Sequence, residues 1–301
     1  MPETTFITLR DVIRYAVSQF RQNDLFFGHG TTNAYDEAVA LVLQSLHLPQ
    51  DQLEPYLDAR LLPAEKELIL SRLRERVATR KPLPYITNEA YLQGFSFYVD
   101  ERVIVPRSFI AENIVNNQLT PWIEHPELVH TALDLCTGNG SLATIMADYF
   151  YDAEVVASDI SDAALEVAEI NFKRNRLAAR ITPVKSDLFN QLGEYTGYFD
   201  LIVTNPPYVD SRRMAELAPE FKFEPGLALF GGSDGLDLVD RILRQAKHFM
   251  TDFGVLVVEM GDNCAELEER YPDLPFNWLE NTSGDGFVFV LTRDDLADYF
   301  D

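Results

Sequence analysis

The sequence predicts an α/β protein, a doubly wound, mostly parallel seven-stranded sheet preceded by a small all-helical N-terminal domain and a β-hairpin linker. Three observations predict it. The first eighty residues carry apolar positions at helical spacing behind capping residues. From His130 onward, short apolar strands alternate with helical segments, the pattern of a parallel sheet. Near the C-terminus, two β-rich runs follow one another with no helix between them, which adds antiparallel edge strands. A chain of 301 residues, 47% hydrophobic and 24% charged, is ordinary for about two globular domains.

Thr8 stands three residues before Asp11 and opens a helix over Leu9–Gln22, where Leu9, Val12, Ile13, Ala16, Val17 and Phe20 share one face. Asn33 with Asp36 repeats the device ahead of Ala38, Val39, Leu41, Val42 and Leu46. A third helix starts at Pro63, passes Leu68, Ile69, Leu73 and Val77, and stops at Lys81-Pro82. Residues 95–99 and 103–105, joined by Asp100-Glu101-Arg102, predict a hairpin and a hinge. Helical patterning resumes after Pro106, so the expected boundaries are 1–90 for the helical domain, 91–106 for the linker and 107–301 for the sheet domain. Parallel strands are expected over 131–135, 155–158, 181–184, 201–204 and 255–259. The edge pair is expected over 276–280 and 287–291, around Ser283-Gly284-Asp285-Gly286.

Lys plus Arg number 25 and Asp plus Glu 48, a formal charge of −23 that repels phosphate backbones and anionic membrane surfaces. A basic partner is the natural complement, with no direct nucleic-acid contact and no membrane. The one dense basic run, Arg72, Arg74, Arg76, Arg80 and Lys81, reads as a solvated helix face. Cys136 and Cys264 lie too far apart in the chain to suggest a disulfide framework, which fits a reducing compartment. The five histidines join no Cys or carboxylate at zinc spacings, so no metal is expected. The first residues lack the order of a signal peptide, and no apolar run approaches the roughly 18 residues of a bilayer span. The expected location is cytoplasmic.

The first strand ends in Asp134-Leu135-Cys136-Thr137-Gly138-Asn139-Gly140 and leads directly into a helix near Ser141. Gly138 and Gly140 let the backbone approach a ligand, and the open N–H groups of a helix start bond ligand oxygens. Asp159 ends the second strand 19 positions beyond Gly140, where a carboxylate can accept both hydroxyls of a ribose. Gly138-x-Gly140-x-x-Ala143 also matches the dinucleotide fingerprint, so the turn alone does not choose the cofactor. Asp134 either serves the ligand or caps the turn.

The fourth strand ends in Asn205-Pro206-Pro207-Tyr208, at the carboxyl edge where ligands of open α/β sheets bind. Two successive prolines fix φ and remove two donors, leaving a rigid ledge that offers only acceptors. The Asn205 side-chain oxygen and the Pro206 carbonyl can each take one hydrogen of a planar NH₂ group, with the Tyr208 ring stacked on its face. Such a clamp aims nitrogen electrons at an electrophile. Hydride transfer has no use for it, whereas the sulfonium methyl of S-adenosylmethionine is such an electrophile.

With these residues the sequence resembles the class I S-adenosylmethionine-dependent methyltransferases of the Asn-Pro-Pro-Tyr type, and within them the protein glutamine N5-methyltransferases. The resemblance implies the class I methyltransferase fold, S-adenosylmethionine as methyl donor with S-adenosylhomocysteine as product, and no metal. It assigns Asp134, Cys136, Thr137, Gly138, Asn139 and Gly140 to the first cofactor motif, Asp159 to the ribose, and Ser186-Asp187-Leu188-Phe189, through Asp187 and Leu188, to the adenine side. Asn205, Pro206, Pro207 and Tyr208 become the substrate clamp, with Asn205 also at the cofactor and Asn205, Pro206 and Tyr208 in the catalytic role. Val105-Pro106-Arg107, Glu224-Pro225 and Gly231-Gly232-Ser233-Asp234-Gly235-Leu236 look like the glutamine-specific subgroup.

Cys136 departs from most of the class, which has glycine there. It reads instead as a variant of one branch, the enzymes acting on a glutamine of large-subunit ribosomal protein three. Phe27-Gly28-His29-Gly30-Thr31 and the following Asn33-Ala34-Tyr35-Asp36-Glu37-Ala38 resemble that branch too, and a basic ribosomal protein matches the charge. The helical domain is then expected to recognise the protein substrate. His29 reads as a turn residue rather than a catalytic one, and Tyr85-Ile86 and the Gly28–Thr31 turn could equally be internal packing of a helical cap. The alternatives are a release-factor glutamine, an adenine N6 in nucleic acid reached by base flipping, a dinucleotide oxidoreductase and a non-catalytic binding module.

Overall fold

The computed structural model describes residues 6–282 and 284–300, and the chain divides into two compact units. The first contains the chain up to residue 90 together with 99–101 and 217–223, and the second contains the remainder. Among the described residues no helix is long and apolar enough to cross a membrane.

The first unit is helical: α1 (Leu9–Gln22), α2 (Ala34–Ser45), α3 (Pro63–Thr79) and the short α4 (Leu83–Thr87). Thr8 and Asp11 close the expected capping box on α1, and the Asn33 side chain accepts from Tyr35 N–H and Asp36 N–H at the start of α2. Caps of this kind are worth about 1 kcal/mol each. Leu9, Val12, Ile13, Ala16 and Phe20 turn inward to pack with Leu41 and Val42 of α2 and Ile69, Leu70 and Leu73 of α3. Helix α3 ends at Arg80, which adopts the left-handed conformation at φ +64°.

The basic run from Arg72 to Lys81 is solvated only in part: Arg74 is exposed, whereas Arg76 is buried. Arg76 has no exposed surface, and its guanidinium donates to Glu37 Oε1 at 2.7 Å and to the carbonyls of Arg80 and Phe26 at 2.8 Å. Glu220, carried in by the 217–223 segment, pairs with Arg80 at 2.7 Å and accepts from Phe26 N–H at 3.0 Å. Arg76 lies inward because the buried carboxylates of Glu37 and Glu220 must be paired and hydrogen-bonded. The same network shapes the Gly28–Thr31 turn: Thr31 donates to Glu37, and the His29 ring, 2% exposed, lies 4.6 Å from that of Phe221. Tyr85 is buried as well. His29 thus packs against Phe221 within the same unit.

The hairpin forms in a different place from the one expected. Its strands are β1 (Ala90–Leu92) and β2 (Phe95–Phe97), joined by Gln93 and Gly94 with φ of +47° and +82°. Two consecutive positive φ angles are what a two-residue turn needs to match strand twist, and Gly94 supplies one at no steric cost. Residues 103–105 form no strand, despite their β-branched composition. Their backbone bonds go to tertiary partners instead: Ile104 C=O accepts from Asn139, and Val105 N–H donates to Glu224.

The second unit then runs α5 (Phe109–Val115), β3 (Thr131–Leu135), α6 (Ser141–Tyr149), β4 (Glu154–Asp159), α7 (Asp162–Arg174), β5 (Ile181–Lys185) and β6 (Phe199–Thr204). It continues with α8 (Ser211–Glu216), α9 (Asp237–Gln245), β7 (Met250–Glu259), α10 (Cys264–Arg270), β8 (Asn277–Asn281), β9 (Gly284–Thr292) and α11 (Arg293–Phe300). Among the described residues, seven strands order as β5-β4-β3-β6-β7-β9-β8. The first five are parallel, and β9 and β8 are antiparallel edge strands, as expected. Ser283 of the expected turn lies outside the described residues. Alternate residues feed two cores: Ala132, Val155, Leu201 and Val257 face one side, and Leu133, Val156, Ile202 and Leu256 the other. The order reverses at β3, whose neighbours are β4 and β6, and such a switch point opens a crevice beyond the strand ends.

Candidate active site

Strand register determines which residues share that crevice. Leu135 of β3 pairs with Ser158 of β4 and Thr204 of β6; Asp159 pairs with Lys185 of β5, and Thr204 with Val258 of β7. The residues at or just past the carboxyl ends of adjacent strands are therefore Ser186, Asp159, Cys136, Asn205 and Glu259, in that order. A cavity of about 320 Å³ opens at this row. Cys136, Gly138, Asp159, Asp187, Leu188, Asn205 and Pro207, all expected from the sequence, line it.

Asp134, Thr137, Asn139 and Gly140 stand behind the wall and build the turn. The fully buried Asp134 accepts from Thr137 Oγ1 at 2.6 Å and Ala143 N–H at 2.9 Å, and burial pushes its carboxyl up to about 7. Both bonds go to Oδ2 and cap the turn. Asn139 accepts from Ser141 N–H and donates to Ile104 C=O. Gly140, at φ +79°, lets the turn close onto α7; a Cβ there would stand 2.6 Å from the Phe172 ring. Gly138, at φ +54°, has nothing within 4 Å of the same position, so a side chain would project into open space on the cavity side.

Cys136 also holds a positive φ, +64°. That conformation explains why glycine suits the position, since an L-residue there costs about 1–2 kcal/mol. Burial pushes its thiol up and keeps it protonated. Leu188, at φ +49°, is a second strained residue on the wall.

Asp159 Oδ2 accepts from Gly138 N–H and Oδ1 from Ser161 N–H, both at 2.9 Å, while burial pushes its carboxyl upward. Two backbone donors fix the carboxylate and leave lone pairs for a ligand's hydroxyls. Asp187 is held by Arg241 at 2.9 Å and Asn190 at 3.0 Å. Arg241 lines the cavity, as do Arg102 and Ile104 from beyond the hairpin and Leu227 from the loop after the clamp. None of these carried a motif; their places depend on contacts distant in sequence.

Asn205 is the clamp residue on the wall. Its Nδ2 donates to Glu259 Oε1 at 3.0 Å. Pro206 is buried, and the Tyr208 ring packs over Gly261, where an added Cβ would lie 2.6 Å from it. Tyr208 therefore braces the loop from behind, and burial pushes its hydroxyl up. The glycines of 231–235 now have a reason: a Cβ at Gly231 would stand 2.5 Å from Pro207 C=O, and one at Gly235 2.4 Å from Tyr208 C=O. Gly231 N–H donates to Val209 C=O, and Asn263 Nδ2 to Tyr208 C=O. The clamp is thus gripped by a second loop that only glycine allows so close. Arg107 donates two hydrogen bonds, 2.5 and 2.8 Å long, to the buried Glu224. That pair fastens Val105-Pro106-Arg107 to the same loop.

Glu259 escaped the sequence reading. It is 3% exposed at the end of an unbroken apolar run, and its Oε2 accepts from Ser108 Oγ at 2.6 Å and Phe109 N–H at 2.8 Å. The available signal was its place, one strand over from Asn205 at the carboxyl edge.

Residues 117–221 match the family model of the methyltransferase small domain. Curated proteins named ribosomal protein uL3 glutamine methyltransferase align along nearly the whole chain. That of Neisseria gonorrhoeae is 54% identical over 289 residues, 96% of this chain and 95% of its own. That of Burkholderia pseudomallei is 48% identical over 298 residues, 97% of each chain; that of Francisella tularensis is 44% identical, over 98% of this chain and 93% of its own. Among solved structures, the hMettl16 catalytic domain in complex with MAT2A 3'UTR hairpin 1 superposes with a TM-score of 0.52 at 17% identity, over 85% of this chain and 91% of that one, a likeness of fold. The fold is that of class I methyltransferases, and the chain belongs to the ribosomal protein uL3 glutamine methyltransferase family.

Proposed function

We infer that this chain methylates the side-chain amide nitrogen, N5, of a glutamine in ribosomal protein uL3, with S-adenosylmethionine as the donor. The name its relatives share supports the reaction and the substrate. The net charge of −23 adds to it, since steering of a basic protein raises association about 10- to 10³-fold at low salt. Both cysteines are free thiols, in keeping with the reducing cytoplasm, where we place the reaction.

The observation that carries the mechanism is the Asn205–Glu259 hydrogen bond. With Nδ2 engaged, the Asn205 amide has its carbonyl oxygen to offer at the cavity wall. That oxygen and the Pro206 carbonyl each accept one hydrogen of the glutamine NH₂, orienting a nitrogen whose lone pair is otherwise delocalised into its own carbonyl. Positioning of this kind can supply about 7–11 kcal/mol in favourable cases. The same two oxygens stabilise the positive charge that grows on nitrogen during attack. No side chain is required as a general base, because the alkylated nitrogen is acidic and its proton passes to water.

The cavity residues fit the donor. Asp159, fixed by two backbone donors, accepts ribose hydroxyls; Asp187 and the Leu188 backbone take the adenine side; Gly138 and Cys136 lie along the methionine part. When bound, S-adenosylmethionine supplies an electrophilic sulfonium methyl and departs as S-adenosylhomocysteine. No metal enters this mechanism.

The test combines purified protein and isotope-labelled donor with uL3 and, separately, with a release factor, then locates any label by mass spectrometry. A single methyl on a glutamine of uL3 alone is the expected outcome. Label on the release factor alone would overturn the substrate, and label on neither would overturn the reaction.

A further inference from the structure

We propose that Glu259 is the positioning residue of the clamp: its carboxylate decides which end of the Asn205 amide meets the substrate, and it does so in the ionised form. The inference rests on the reading that Asn205 holds the substrate amide. An asparagine amide has two orientations that differ by a half-turn about its last bond, one presenting oxygen and the other NH₂. Only the first can accept from the glutamine NH₂; the second sets donor against donor. Nothing within Asn205-Pro206-Pro207-Tyr208 distinguishes the two.

Glu259 does. Because Thr204 pairs with Val258, the next residues, Asn205 just past β6 and Glu259 at the end of β7, stand side by side, and Glu259 Oε1 takes Asn205 Nδ2 at 3.0 Å. An ionised carboxylate accepts and cannot donate, so it selects the orientation in which NH₂ points away from the cavity. The carboxylate is itself immobilised. Its second oxygen accepts from Ser108 Oγ at 2.6 Å and from Phe109 N–H at 2.8 Å, at the start of α5. Ile110 N–H reaches the same oxygen at 3.5 Å, and the neighbouring titratable groups among the described residues include Arg107, whose charge favours the ionised form, and the hydroxyl of Tyr208.

Protonation would undo the selection. A neutral carboxyl group carries an O–H that can donate to Asn205 Oδ1 and stabilise the wrong orientation. Burial pushes Glu259 up to about 7 against the pull of Ser108 and the backbone donors, so the exchange falls in the neutral range. The carboxylate is the working form; turnover therefore rises with pH through about 7 and declines below it.

Glu259→Gln keeps the shape and removes the charge. It is expected to lower kcat roughly 10- to 100-fold, the effect of losing a group that orients a reacting one. The dissociation constant for S-adenosylmethionine should stay within about twofold, and the acid limb near pH 7 should vanish from the kcat profile. Ser108→Ala provides an independent readout: without its donor the ionised form loses support, so the acid limb moves to higher pH. A Glu259→Gln enzyme with wild-type kcat and an unchanged acid limb would overturn the proposal. So would a Ser108→Ala enzyme whose limb does not move. Asn205→Ala separates the layers: loss of turnover there with none in Glu259→Gln refutes Glu259 alone, whereas full activity in Asn205→Ala refutes the clamp itself.

Discussion

The two ends of the cavity are built by different means. At the cofactor end, the turn from Asp134 to Gly140 is shaped largely by its own neighbours in sequence, with Asp134 bonding Thr137 and Ala143 and Asn139 bonding Ser141, and is then tied to Ile104, Asp159 and Asn171. At the clamp end, Asn205 is held by Glu259, Tyr208 by Asn263 and Val209 by the 229–235 loop, and Glu224 of that same stretch of chain is tied to Arg107. A locally built site tolerates change elsewhere and can be read from a short motif. A site assembled from several segments depends on distant side chains that no short motif contains.

Substitutions at the two ends should therefore fail in different ways. The largest effect is expected from Asn205→Ala, which removes an acceptor for the substrate amide: turnover should drop about 10²–10³-fold, the loss of one preorganised polar group at a reacting centre. Calorimetric titration should find cofactor affinity intact; a parallel loss of both would make Asn205 a structural residue. Next comes Gly140→Ala, which combines a left-handed backbone with a Cβ 2.6 Å from Phe172 and should destabilise the fold by about 2–3 kcal/mol in urea titration. A fold unaffected by that change would mean that α7 yields easily.

Asp159→Ala should weaken donor binding about 10- to 100-fold, the worth of one or two hydrogen bonds to a charged group. An unchanged dissociation constant would remove Asp159 from the ribose. The smallest effect is reserved for Cys136→Gly. Relief of the strained φ of +64° is offset by the greater freedom of glycine in the unfolded chain, so stability should move by less than about 1 kcal/mol. A larger loss would show that the thiol's packing matters more than its backbone.

The same contrast explains what could be read from the sequence. Capping residues placed the starts of α1 and α2 to the residue, and apolar runs located every strand of the main sheet to within five positions, because both signals are local. The hairpin was misplaced because its strands are only three residues long and its turn, Gln93-Gly94, carries a weaker mark than the charged run at Asp100-Glu101-Arg102. Arg76 was read as solvated because the carboxylates that draw it inward, Glu37 and Glu220, lie 39 and 144 positions away. Glu259 was silent for a like reason: a glutamate closing an apolar strand looks like a strand end until the neighbouring strand is known to carry Asn205.

The division of labour between the two ends is tested most directly by measuring, on Asn205→Ala and Asp159→Ala side by side, the donor's dissociation constant and the single-turnover methylation rate of uL3 at saturating donor. The account predicts a crossed pattern: Asn205→Ala binds the donor normally and transfers its methyl slowly, and Asp159→Ala binds weakly and transfers at close to the native rate once saturated. Equal losses of affinity and rate in both proteins would contradict it.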